Sequence, residues 1–221
     1  MPAVRSNSSG HGTGGALTCA APSMLAAGAL ADAPSLVANF TFEPDESAAL
    51  FSAGVASYTL MGHAHVAGGA LWLTADAPGQ LGSCILPALP HVGPTTTFAA
   101  SFDVHIGGVC LGGGRNCGGD GVSFSFGEVA DEAFGADGAG DGLRIQLLTQ
   151  PIRHLVAQYG GRHLGSAAMG ESLRAQAPQQ LAVRYAADGL WVRYGSRVLL
   201  SGVQVPSWAP RPSWRFAFGA H

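Results

Sequence analysis

Apolar residues in this chain recur at every second position, over short runs broken by glycine, proline or Asp-Gly, and almost never at helical spacing. The clearest run is 97–106, where Phe98, Ala100, Phe102, Val104 and Ile106 share one face. A second begins at Gly121: Val122, Phe124 and Phe126 point one way, Ser123 and Ser125 the other, the pattern of a half-buried strand. Further strands are expected at 36–42, 57–61, 70–74, 81–86, 142–148, 154–159, 180–185, 190–194, 197–200 and 214–218. Residues 184–192 read as a hairpin turning at Asp188-Gly189. Short strands with no helices between them predict an all-β fold, an antiparallel β-sandwich.

At 221 residues the chain suits one large sandwich domain. Residues 1–34 stand apart as a leader. Arg5 precedes a weakly apolar run over 16–30, and Ala29-Leu30-Ala31 gives a small-x-small pattern before Asp32. The leader is either a signal peptide cut after Ala31 or a disordered segment. No run reaches the roughly 18 apolar residues that a membrane span needs. Charged residues make up only 11% of the chain and the net charge is −3, with no lysine and no arginine cluster. That composition excludes nucleic acid as a partner, which requires clustered basic side chains.

Cysteines stand at 19, 84, 110 and 117. Cys110 and Cys117 flank the glycine-rich CLGGGRNC, short enough to close as a disulfide that would stabilise by about 2–4 kcal/mol. In a reducing compartment they stay as thiols. Cys84 sits in the apolar run 81–86 and packs as a small hydrophobe, or bridges Cys19 if the leader is retained. No Cys-His spacing points to zinc.

GGDGVSFSFG followed by FGADGAGDGLRI, with GALWLT upstream and WRFAFGAH at the end, resembles the concanavalin A-like lectin/glucanase superfamily. Within it the chain looks like the laminin G-like and legume-lectin-like jelly-roll modules, over residues 35–221. The resemblance implies a non-enzymatic carbohydrate-binding module of a secreted or cell-surface protein, with a glycan or glycoprotein as partner. The alternatives are a laminin G-like protein-interaction module without a sugar site and, third, a glycan hydrolase. In legume-lectin-like members the Asp of this Asp-Gly accepts hydrogen bonds from sugar hydroxyls, beside backbone amides of a glycine-rich loop. That role falls on Asp120, with Gly119 opening the backbone to a ligand and Asn116 and Arg115 as side-chain donors. Asp-Gly is also a common tight-turn pair, so the residues alone leave Asp120 as a ligand contact or a turn residue. In the family, the segment matching 214–219 is followed by another strand. This chain ends at His221, so the sandwich is expected to lack its last strand, as a fragment or with the leader region supplying the pairing.

The resemblance also defines what is missing. Legume lectins hold metal through a Glu-x-Asp pattern on the strand after the glycine-rich loop. Here that stretch reads Ile145-Gln146-Leu147-Leu148-Thr149, without a carboxylate, so neither metal nor cofactor is expected. Asp131, Glu132, Asp137 and Asp141 offer oxygens to calcium, but their spacing fits no EF-hand and they read as a solvated acidic loop. His63 and His65 lack an evident third ligand. Glucanases carry Glu-x-Asp-x-x-Glu along one strand. The nearest match, Glu43-Pro44-Asp45-Glu46, has a proline and no final Glu, and belongs to a turn. There is no Gly-x-Ser-x-Gly, and no helix pattern follows Gly112-Gly113-Gly114 to make a phosphate loop. Trp72 and Trp191 alternate out of phase with their apolar neighbours, facing solvent or lying under loops; Trp208 is a third aromatic candidate. Sequons at Asn7 and Asn39 matter only in a secreted chain.

Overall fold

The computed structural model describes residues 15–18, 49–51, 54–56, 58–75, 77, 79–88, 97–107, 119–150, 152–170, 173 and 177–221. One seven-stranded sheet runs, in spatial order, β15 (Arg197–Val203), β14 (Gly189–Tyr194), β13 (Gln179–Ala186), β8 (Phe98–His105), β1 (Gly15–Thr18), β6 (Ala70–Thr74) and β5 (His65–Ala67). The second runs β12 (Arg162–Ala168), β11 (His154–Tyr159), β10 (Asp141–Leu148), β9 (Gly121–Glu128), β16 (Arg215–Ala220), β7 (Gly82–Ile85) and β4 (Thr59–Gly62). A small hairpin joins β2 (Ala49–Phe51) to β3 (Gly54–Ala56). The described pairings are antiparallel, as the alternation predicts.

The core lies between the sheets. From one side come Leu71, Leu73, Phe98, Phe102, Val104, Leu181, Val183, Leu190 and Val192; from the other come Val122, Phe124, Phe126, Leu143, Ile145, Leu147, Phe216 and Phe218. Its centre is a set of tilted rings: Phe102 lies 4.9 Å from Phe218 edge-on, and Phe126 lies 4.5 Å from Phe216. Offset and edge contacts of this kind add roughly 0.5–1.5 kcal/mol per pair beyond area burial. Ala100 and Ile106 pack against the cluster, completing the face read from 97–106.

Some elements depart from the sequence reading. The hairpin turns at Ala187-Asp188, because Ala186 pairs with Gly189, whose φ of 100° lets β14 begin there. The strand β12 follows Gly160-Gly161, both at positive φ, and pairs with β11 at the sheet edge. Its Gly165, Ser166, Ala167 and Ala168 are too small to show alternation, so the sequence gives no strand signal there. Gly15–Thr18, within the region read as a leader, forms β1 and pairs with β6 on one side and β8 on the other. The last strand, β16, is interior, bonded to β9 and β7, so no unpaired ladder lies beside it. The segments at 36–42 and 43–46, the sequons and Cys19 fall outside the described residues. Among those described, no helix is long and apolar enough to cross a membrane.

Candidate functional site

The central strands of the second sheet are buried on both faces. Seven of the eight residues of β9 are buried, Ser123 and Ser125 included. This corrects the half-buried reading. The loop 129–140 folds back over the outer face, where Phe134 packs with Ile85, Val129 and Ala217 as a second apolar cluster. The polar residues of the alternation then serve as anchors. Ser123 Oγ donates to the Gly135 carbonyl at 2.7 Å, and Ser125 Oγ accepts from the Ala139 amide at 3.2 Å. Gln146 Nε2 donates to the Asp137 carbonyl at 2.6 Å, and the Arg144 guanidinium donates to the Gly140 carbonyl at 2.6 Å. Arg215 clasps the loop's start through Asp131, at 2.7 Å, and the Val129 carbonyl. Buried hydroxyls and amides are costly unless bonded, so each contact holds the loop in one place.

Asp120 stands where β9 begins, at the end of this roof. Thr149, the residue after β10, holds that corner: its hydroxyl donates to the Gly119 carbonyl at 2.7 Å and its amide to the Asp120 carbonyl at 2.8 Å. The carboxylate is free of the core, its side chain 58% exposed, and meets His221, 47% exposed, with Nδ1 3.0 Å from Oδ2. Both ring contact and backbone pairing join the two segments, since Gly121 and His221 exchange amide-to-carbonyl bonds at 3.4 Å. Two glycines make this approach sterically feasible. A Cβ on Gly119 would stand 2.0 Å from the His221 carbonyl oxygen, and one on Gly135 would stand 2.8 Å from the His221 Cβ. Three segments therefore converge: the start of β9, the chain after β16, and the loop 129–140.

Of the residues singled out from the sequence, Gly119 and Asp120 lie together at this corner. Arg115, Asn116, Cys110 and Cys117, with Gly112 to Gly114, lie outside the described residues. Cys84 is buried in the main core. Asp131, Glu132, Asp137 and Asp141 are exposed along the loop. Trp208 packs among Phe98, Phe126, Tyr185 and Trp214. Trp72 and Trp191 are half-buried on the outer face of the first sheet, Trp72 stacked on His65 and Trp191 under Arg184. The sequence reading missed His221, Gly135 and Thr149. The sequence carried no signal for them, because the strand ending in WRFAFGAH is set beside VSFSFG only by the sheet order, which brings His221 to Gly121.

Among the described residues no three His, Cys, Asp or Glu side chains gather as a metal site. On the face of β10 under the loop, Arg144 and Gln146 are the side chains that bond to it, through the Gly140 and Asp137 carbonyls.

No protein-family model and no curated protein matches the sequence. Solved structures do match. The carbohydrate recognition domain of Emp47p is similar with a TM-score of 0.55 at 21% identity, covering 73% of this chain and 78% of that one. The exoplasmic/lumenal domain of VIP36 in its metal-free form is similar with a TM-score of 0.57 at 18% identity, covering 74% of this chain and 77% of that one. Its calcium- and mannose-bound form gives 0.54 at 18%, covering 74% and 75%. The fold of this chain is that of the concanavalin A-like lectins, the jelly roll that its glycine-rich and aromatic strand motifs resemble.

Proposed function

We propose that this chain is a non-enzymatic carbohydrate-binding module that takes neutral hexose glycans at the Asp120 corner. The observation carrying this reading is a carboxylate held in place by His221, accessible to solvent, and bordered by glycine backbone. An ionised carboxylate accepts hydrogen bonds from sugar hydroxyls more strongly than a neutral group does, and bare glycine backbone lets a ring approach closely. Both features suit a polyol and neither supplies a catalytic acid–nucleophile pair. The fold supports it too: similar domains are carbohydrate recognition domains, with VIP36 solved bound to mannose and to a Man3GlcNAc glycan. Arg115 and Asn116, five and four residues before Asp120, are proposed as side-chain donors, and Cys110–Cys117 as a disulfide closing their loop. The sandwich, β1 included, works in an extracellular or lumenal setting, where such a disulfide persists.

Shallow sites of this kind bind in the micromolar to millimolar range, about −4 to −8 kcal/mol. A glycan array probed with the multivalent wild-type protein and with Asp120→Ala tests the reading. Mannose-type glycans should be retained by the wild type and lost by the variant. Equal retention by both proteins would remove Asp120 from the site, and retention by neither would reject the lectin function.

A further inference from the structure

The VIP36 domain has been solved with calcium and mannose together and also free of metal. We infer that a set of buried hydroxyl and amide side chains, Ser123, Ser125, Gln146 and Thr149, positions the sugar corner of this protein without a cation. These four are 2%, 0%, 5% and 6% exposed, and each bonds to backbone rather than to another side chain. Thr149 acts at the corner itself, Ser123 acts on Gly135, which abuts His221, and Ser125 and Gln146 hold the rest of the roofing loop. Thr149 holds Gly119, Ser123 holds Gly135, Ser125 holds Ala139 and Gln146 holds Asp137.

The chemistry separates this arrangement from a metal cradle. A cation gathers loops by drawing several oxygen atoms onto one centre. Here Gln146 directs an N–H at the Asp137 carbonyl, which would repel a cation at that point, and the hydroxyls of Ser123 and Thr149 donate to the Gly135 and Gly119 carbonyls, the first of which also accepts from the Gly138 amide. Carbonyls already satisfied in this way are poor recruits for calcium. Thr149 has the most direct effect, since it fixes the carbonyl next to Asp120 and, through its own amide, the carbonyl of Asp120 itself. It is a positioning residue, reaching the ligand only through Asp120.

The test compares Thr149→Val, which keeps the shape and removes the hydroxyl, with Thr149→Ser, which keeps the hydroxyl. Affinity for mannotriose is measured by titration calorimetry, amide exchange over 119–121 by NMR, and melting temperature with EDTA or with added calcium. We expect Thr149→Val to bind about tenfold more weakly, as loss of one buried hydrogen bond allows, and to exchange faster at 119–121. Thr149→Ser should restore both, and neither EDTA nor calcium should move the melting temperature. A shift of several degrees with either reagent, or unchanged exchange in Thr149→Val, would overturn the inference. Its affinity arm rests on the glycan-binding reading. If the wild type binds no sugar that reading fails, while the exchange and calcium measurements still decide how the corner is held.

Discussion

Asp120 and His221 lie 101 positions apart in sequence and 3.0 Å apart at their nearest side-chain atoms. The Asp120–His221 pair is exposed, where an ion pair contributes little to stability, so replacement of Asp120 should act mainly on binding. Asp120→Asn, which keeps the shape and loses the charge, should weaken mannotriose binding by about 10–100-fold, the worth of a charge-assisted bond, with an unchanged urea midpoint. A lower midpoint would show a structural residue instead. Gly119 carries the opposite expectation. Any side chain there meets backbone, which cannot swing aside, so Gly119→Val should destabilise by about 1–3 kcal/mol in urea denaturation. Wild-type stability in that variant would contradict the close approach of the two segments.

Strands carry most of the stability, and their faces explain both what the sequence disclosed and what it hid. Phe124 touches Phe102, Phe216 and Phe218, and Phe124→Ala should cost about 3–5 kcal/mol by the same denaturation assay. The core face of β9 was legible because Val122, Phe124 and Phe126 alternate cleanly. Its other face was not, since alternation says that Ser123 and Ser125 point away from the core but not that a roof of loop covers them. Strands 70–74 and 154–159 were legible to the residue, being bounded by turns and rich in large apolar groups. At the edge strand β12, small residues erase the pattern. On β14, burial pushes the Tyr194 phenol up to about 12 from 10.0. The unfolded chain then ionises first as pH rises, so stability should fall between pH 10 and 12 and hold steady below that window, by roughly 2 kcal/mol in total. Tyr194→Phe should lessen that loss when chemical denaturation is followed at each pH.

For the whole molecule, the candidate site depends on the neighbour relation of two distant strands. The sequence shows Asp120 at the start of one strand and His221 after another, but periodicity carries no information on which strands pair. The sheet order places β16 directly beside β9, and the corner forms from that adjacency. The same order leaves the outer face of the first sheet, with Trp72 and Trp191, on the far side of the sandwich from the roofing loop. Sugar contact at Asp120 and sugar contact at those tryptophans are thus spatially separate outcomes. The most direct test is an NMR titration of the 15N-labelled protein with mannotriose up to millimolar concentration. The account predicts shifts concentrated at Gly119, Asp120, Gly121, Gly135 and His221, with the indole signals of Trp72 and Trp191 unmoved. Shifts centred on those two tryptophans, or none at saturating sugar, would contradict it.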